Sequence, residues 1–443
     1  MKRNNFFTTK QYGLISGRST ALQLLEVLDK WTEVLDLGYS IDCVYMDYQK
    51  AYDAVPHKRL HSKLTSYGIN EQLIAWIDSF LSNRVQQVGV NGERSAWHNV
   101  TSGIPQGSVL VPLLFVIFIN DLPETVNSDA YLFADDTKIF NIIKSSDDST
   151  ILQEDLTKLE EWSDTWLLRF HPDNCKNMHI GKKNDDNSYS LHRKSLEKVI
   201  EEKDIGVVID SDLTFEKHIN EKVNKANQMF TTPRRTFQFM DKSTFVQLYN
   251  AFVRTHLDYA SSVWAPFKAK HIEQIEGVQR RATKQIPGFR DMTYSERLRA
   301  LKLPSLRYRR LRGYKILNGK YDQDACTILK LWKDMAPRSS IRGHSLKLYP
   351  QRARTQLRKY SFAMRVVKYW NSLPEKIVTS KTLNTFKNRL DKHWEDQDLV
   401  YEDFKANIKL EGRDVDFNMS EEEIESGIEE PLDPALENIA RYR

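Results

Sequence analysis

Cysteine is scarce: Cys43, Cys175 and Cys326 lie far apart in 443 residues, with no CxxC pair. This rules out a disulfide framework, offers no thiolate zinc site and fits a reducing setting. Long hydrophobic runs are missing too. The longest, Val109 to Ile119, contains Pro112 and falls well short of the roughly 20 residues that span a bilayer, so no membrane partner is expected. The opening MKRNNFFTTKQYG is basic, without a continuous apolar core or a small-residue cleavage site, and no signal peptide is expected. No internal repeat is evident. What remains is a globular composition, 40% hydrophobic and 28% charged.

Charge is distributed unevenly. Glu411 to Arg443 carries eleven acidic and three basic residues, a net of −8, which leaves about +13 on residues 1–410 out of an overall +5. A basic body with a separate acidic tail suits a polyanion-binding protein, and an ordinary soluble domain with a chance excess gives the same count.

Periodicity outlines the elements. Ser19 or Thr20 caps an amphipathic helix carrying Leu22, Leu24, Leu25, Val27 and Leu28. A buried strand, Tyr39 to Met46, ends on Asp47. Pro56 marks a helix start and Gly68 its stop, and a second helix covers Gln72 to Leu81. Asn91-Gly92 is a hairpin signal. After Gly103-Ile104-Pro105-Gln106-Gly107, an apolar helix runs to about Asn120. Tyr131–Phe133 and Thr137–Phe140 read as short strands flanking Asp135-Asp136. Thr150 and Gln153 suggest a capping box for a helix with Leu152, Leu156, Leu159 and Trp166 on one face. Ile205 to Ile209 is again β, and beyond about residue 219 the chain is helical, basic and aromatic. Strands that do not alternate strictly with helices indicate an α+β fold.

Three carboxylates stand out by position: Asp47 at the end of a buried strand, and Asp135-Asp136 between two apolar strands. Ionised carboxylates at the edge of a core are costly unless positive charge sits nearby. Two divalent cations about 3.5–4 Å apart supply such charge in phosphoryl transfer. Mg²⁺ takes one or two carboxylates plus substrate phosphates, which this set resembles. A plain polar turn at Asp135-Asp136 is the competing reading.

The order of the motifs is more specific than any one of them. VYMDYQKAYDAVPHKRL, SGIPQGSVLVPLLFVIFINDLP and YLFADDTKIF resemble motifs A, B and C of reverse transcriptases, in sequence. FHPDNCKNMHIG resembles motif D, DIGVVIDSDLTFEKHI the palm-to-thumb segment and QYGLISGRST the end of the fingers. LYNAFVRTHLDYASSVWAP and VQRRATKQIPG resemble the thumb of non-LTR, jockey-type (LINE-like) retrotransposon enzymes. The resemblance covers roughly residues 10–390.

It implies a right-hand polymerase with a reverse-transcriptase palm, incomplete fingers and a helical thumb. The domains would be a fingers remnant at 1–38, the palm with part of the fingers at 39–219, thumb and C-terminal extension at 220–400, and an acidic, disordered tail at 401–443. Its activity would be RNA-directed DNA synthesis: a primer 3′-hydroxyl attacks a dNTP on an RNA template, forming RNA–DNA hybrid. By resemblance, Asp47 and Asp135 would coordinate two Mg²⁺ (or substituting Mn²⁺), with Asp136 in support. Tyr52 would be the steric gate against a ribose 2′-hydroxyl, or simply a core residue. Gly103, Pro105, Gln106 and Gly107 would underlie the templating base and incoming nucleotide, or form only a strand-to-helix turn. Lys176 would be a general acid toward pyrophosphate, or a plain surface lysine. Arg280, Arg281, Lys284, Arg307, Arg309, Arg310 and Arg312, near Trp264, Tyr308 and Tyr314, suit a groove tracking a nucleic-acid backbone. The competing picture is a solvated helix face.

The sequence also departs from the pattern. Only about ten residues precede QYGLISGRST, so an N-terminally truncated member is expected, lacking the cationic fingers segment and the upstream endonuclease. Losing the cationic half of a triphosphate clamp costs several kcal/mol on the scale of roughly 3–4 kcal/mol per donor. Val111 replaces a usual glycine, adding a side chain beside the nucleotide-binding loop with room to crowd the helix start. Leu14-Ile15 and His171 also differ. The alternative function is therefore an inactive remnant that at most binds RNA or hybrid. RNA-directed RNA synthesis is disfavoured by Tyr52. Localisation stays open, a nuclear site being compatible with target-primed integration.

Overall fold

The computed structural model describes residues 6–182, 187–236, 241–306, 328–335 and 343–394. These fall into two compact units, one within Met1–His218 and Leu311–Phe386, the other within Ile219–Arg310 and Lys387–Arg443. Residues beyond about 343 in the described chain thus split between the units instead of continuing one helical block.

The first unit is built on a sheet of β1 (Ser40–Met46), β2 (Asp129–Phe133), β3 (Asp136–Ile143), β4 (Lys176–Ile180) and β5 (Glu197–Lys198). Their spatial order is β5-β4-β1-β3-β2, with β1 antiparallel to both neighbours and β5 joining in parallel. A central strand covered on both faces needs a nearly continuous apolar sequence, and SIDCVYM supplies it. Asp42 is the exception. Fully buried, it survives because Tyr189 donates to its carboxylate and His179 Nδ1 lies 2.6 Å away.

Helices α1 (Thr20–Asp36), α2 (His57–Ser66), α3 (Glu71–Leu81), α4 (Leu110–Phe118) and α5 (Ser146–Trp166) surround the sheet. Val44 and Met46 share a core with Leu114 and Phe115 of α4 and with Leu152, Leu156 and Leu159 of α5. Ser19 caps α1 by accepting from the Leu22 amide at 3.2 Å. Asn91 and Gly92 turn the chain between Gly89–Val90 and Glu93–Arg94, both with φ positive, as the hairpin signal requires. No described helix is long and apolar enough to cross a membrane.

Several boundaries differ from the sequence reading. Helix α5 starts at Ser146 instead of Thr150, because Ser145 and Asp148 form the capping box one turn earlier and Asp148 also accepts from the Lys144 amide. Ile205 is a turn residue: with Gly206 it joins β6 (Glu201–Asp204) to β7 (Val207–Asp210), both at positive φ. Strand β4 lies in a segment read for its motif and not as β. Val111 is buried, its side chain in the same apolar core as Leu114 and Phe115.

The second unit is helical, including most of α6 (Glu216–Thr236), α7 (Ala269–Thr283) and α8 (Tyr294–Leu301). Buried Gln279 holds it together locally, accepting from Tyr249 Oη at 3.0 Å and donating to Tyr294 Oη at 3.1 Å. Residues 395–443, the acidic tail included, lie outside the described residues, as does Cys326.

One buried ion pair ties the β6–β7 hairpin to the sheet. Lys138 of β3 bonds Asp204 of β6, and both side chains are shielded from solvent. Removing one member strands the other charge, whereas removing both does not. Lys138→Met should therefore cost about 3–5 kcal/mol in urea unfolding, and Lys138→Met/Asp204→Leu should recover most of it.

Candidate active site

The site begins with a turn. Phe133 of β2 pairs with Asp136 of β3, leaving Ala134 and Asp135 as a two-residue connection. Ala134 adopts φ +55°, a left-handed conformation that costs a residue with a Cβ about 1–2 kcal/mol. Something must hold it there, and Gln11 does. Its fully buried carboxamide oxygen accepts from the Ala134 amide at 2.9 Å and the Gly13 amide at 2.8 Å, while Nε2 donates to Ala134 O at 3.4 Å. Backbone bonds between Tyr12 and Leu132, and between Leu132 and Lys10, lay this segment along β2. Gly13 makes the approach possible, since a Cβ there would lie 2.2 Å from Ala134 N. Neither Gln11 nor Gly13 was singled out as a site residue, although both stand in the recognisable QYG triplet.

The carboxylates meet at the same end of the sheet. Asp136 is the first residue of β3, not a turn residue as expected; only Asp135 is in the turn. Met46 pairs with Thr137, so one step further along the ladder sets Asp47 beside Asp136. The loop before β4 cradles Asp47: Asn174 donates to its carboxylate at 2.8 Å, and the His171 amide donates to its carbonyl at 2.8 Å. That second bond needs only a backbone N–H, so the departure at His171 leaves it intact. Asn174 is a contact that the sequence reading missed while attending to Lys176 two positions later.

Electrostatically the cluster is unbalanced. Burial raises the Asp135 carboxyl above its ordinary value, with the Asp47 charge adding to the effect. Burial pushes Asp136 up to about 6, reinforced by Asp135, Asp204 and Asp47 and opposed by Lys138. Lys138, however, is bonded to Asp204. Hard oxygen donors of one sign, crowded and short of counter-charge, have the chemistry that a divalent cation satisfies. Among the described residues, no three His, Cys, Asp or Glu side chains are close enough to hold an ion by themselves.

The remaining candidates take distinct places. Tyr52 is half-buried with its ring 4.5 Å from that of Phe115, and its phenol is pushed up to about 12 by burial and by the Asp135 and Asp136 charges. It therefore lies in the field of the carboxylates while also packing on the core. Gly103 is buried at φ +82°; Pro105 is half-buried, and Gln106 and Gly107 are exposed, with Gly107 at φ +94°. Lys176 forms an ion pair with Glu197. In the second unit, Arg280 lies over the Tyr294 ring at 5.4 Å and Arg281 donates to Asn227, while Lys284 is exposed. Trp264 is core, its Nε1 donating to Tyr259 O at 2.8 Å, and so offers no stacking surface. Arg307, Tyr308, Arg309, Arg310, Arg312 and Tyr314 lie outside the described residues.

Residues 1–239 match the family described as reverse transcriptase (RNA-dependent DNA polymerase), and the chain belongs to that family. Its α+β palm fits a right-hand polymerase, and such enzymes generally use divalent metals. Among relatives, it is 27% identical over 295 residues to the RNA-directed DNA polymerase from mobile element jockey of Drosophila melanogaster, across 63% of this chain and 32% of that protein. The Drosophila funebris jockey polymerase is 28% identical over 301 residues, with the same coverage. The probable polymerase from transposon BS of Drosophila melanogaster is 26% identical, over 65% of this chain and 33% of that one. The chain thus spans about a third of the length of the curated relatives it matches. A telomerase from Candida albicans gives a TM-score of 0.38 at 9% identity, covering 67% of this chain and 55% of that one.

The raised Asp136 carboxyl sets a pH dependence. Between about pH 4 and pH 6 the folded chain holds this proton where an unfolded chain has released it, so the group's relative cost builds across that window and is complete above about pH 6. In EDTA, Asp136→Asn should raise the melting temperature at pH 7.5 and lose that advantage near pH 4.5. A gain that is the same at both pH values would refute the crowding.

Proposed function

We propose that this chain carries out RNA-templated DNA synthesis, as the polymerase portion of a non-LTR retrotransposon protein of the jockey type. The observation that carries the reading is the convergence of Asp47 with Asp135 and Asp136, from two distant stretches of sequence, at one sheet end in a reverse-transcriptase chain. The resident ions would be two Mg²⁺, with Mn²⁺ as substitute, held by Asp47 and Asp135 with Asp136 in support. When bound they would activate the primer 3′-hydroxyl and stabilise charge on the transferring phosphoryl group.

The chain's own groups supply the rest. The Gln11-held turn fixes where the Asp135 and Asp136 carboxylates lie, so they need not reorganise during reaction. Asn174 orients Asp47. Tyr52, braced by Phe115, presents a rigid ring against which a 2′-hydroxyl would clash, selecting dNTP over rNTP. Residues Gly103, Pro105, Gln106 and Gly107 give a backbone surface that a base pair can approach closely. For Lys176 to protonate departing pyrophosphate, it must first leave Glu197. An RNA template and the RNA–DNA hybrid are the partners, and the +13 charge of residues 1–410 favours both.

Primer extension on an RNA template with dNTPs and Mg²⁺ or Mn²⁺ tests this, with Asp135→Ala/Asp136→Ala run in parallel. Extension by the parent that drops by roughly 10³-fold or more in the double variant is expected. A folded parent that binds hybrid yet extends nothing would sink the claim of turnover and leave a binding remnant.

A further inference from the structure

The loop at residues 102–107 is held from an unexpected side. Its stem lies on the chain just after Asp47: the Gly103 amide donates to Val55 O at 2.8 Å, the Ile104 amide to Tyr52 O at 2.9 Å, and Ser102 Oγ to Asp53 O at 3.0 Å. The fit is close, since a Cβ on Gly103 would sit 2.6 Å from Asp53 O. These bonds fix the two amides and leave the Gly103 carbonyl free for other partners.

Two side chains from other elements converge on that carbonyl. Arg84 Nη2 donates to it at 2.6 Å, and His57 Nε2 lies 2.9 Å from it. Two lone pairs at that separation would repel, so the ring nitrogen facing Gly103 carries a hydrogen and donates. Arg84 Nη2 is also 3.3 Å from His57 Nε2, which places both donors on one oxygen. The guanidinium is itself braced, because its Nε donates to Leu81 O at 2.9 Å, one of the carbonyls that the end of α3 leaves without a helical partner. The Val100 amide bonds the Arg84 carbonyl at 2.8 Å, so the backbone entering the loop is anchored to the same residue. Oxygen and donors are partly buried, where a charge-assisted bond is stronger than in water. His57 starts α2, and Arg84 follows α3.

We propose that His57 and Arg84 are positioning residues of the nucleotide pocket, gripping the Gly103 carbonyl so that the 103–107 loop keeps a fixed distance from Tyr52 and thereby sets the preference for deoxynucleotides. The inference rests on the reading of Tyr52 and this loop as the dNTP site. Neither residue need touch the nucleotide. Tyr52 accepts from the Ile104 amide through its own carbonyl, so a displacement at Gly103 strains the bond that sets the loop's spacing from the ring that excludes the 2′-hydroxyl. Slack in the grip then loosens both affinity and selectivity, while hybrid binding elsewhere on the chain stays as it was.

Two measurements on Arg84→Gln, His57→Ala and His57→Gln test it, with melting checked for each. The first is amide hydrogen exchange of the unliganded chain. Exchange across 102–107 should quicken about tenfold in Arg84→Gln and His57→Ala and return toward the parent rate in His57→Gln, whose amide can still donate. The second is equilibrium binding of dNTP and of rNTP to the chain on a dideoxy-terminated primer with an RNA template. Here dNTP affinity should fall about tenfold, with a similar narrowing of the deoxy-to-ribo ratio and unchanged affinity for the hybrid. Unaltered exchange, or an unaltered ratio, overturns the positioning role. Hybrid affinity falling in step with dNTP affinity also overturns it, as a general structural defect. If exchange quickens as expected but the parent binds no dNTP, the grip stands, and the assignment of the pocket to dNTP is what fails.

Discussion

The structure of the first unit depends on an electrostatic problem set at one end of its sheet. Three carboxylates lie together, burial and neighbouring charge oppose the ionisation of Asp135 and Asp136, and the lysine on the same face is bonded to Asp204. A fold selected for stability alone would not hold such a cluster, since like charges half out of water are costly. The supports around it make sense as devices that keep it from dispersing. Gln11 locks the strained Ala134 turn, Gly13 admits the backbone that carries Gln11, and the loop before β4 fixes Asp47 from the other side. Each uses backbone groups or an uncharged side-chain amide, so no further charge is brought into the cluster.

From this end outward, the architecture is an arrangement of braces. Antiparallel pairing of β1 with β3 sets Asp47 beside Asp136 at a ladder's end, where a one-residue slip would turn either carboxylate to the opposite face. Tyr52 follows within the next turn of chain and packs on Phe115, tying the proposed gate to the same core that supports β1. The loop at 103–107 rests in turn on Tyr52 and Val55. Carboxylates, ring and loop are therefore mechanically continuous.

Much of this was legible in residue patterns, for physical reasons. Asp47 could be placed because the apolar run before it leads a carboxylate to the edge of a core, where its charge is costly without a partner. Asn91-Gly92 could be placed because few dipeptides accept two positive φ values. The helix cap was legible to within one residue, Ser19 or Thr20, because a short hydroxyl side chain can accept from a first-turn amide, and Ser19 makes the bond. The errors have physical causes too. Asp136 was assigned to a turn because a DD pair looks like one, while ladder pairing with Phe133 makes it a strand residue. The start of α5 was missed because two overlapping capping signals compete and the earlier one satisfies more amides. Gln11, Asn174, His57 and Arg84 were invisible as partners because each acts on atoms far away in sequence, which leaves no periodic trace.

The central claim is that the carboxylate cluster is a cation site. Titrating Mn²⁺ into the metal-free chain, with free ion followed by electron paramagnetic resonance, tests it without requiring catalysis. The account predicts binding that weakens at least about tenfold in Asp47→Asn and Asp136→Asn, and that is stronger at pH 7.5 than at pH 5, because protonation of Asp136 near pH 6 competes with the ion. Binding that is absent in the parent, or indifferent to both substitutions and to pH, would contradict it.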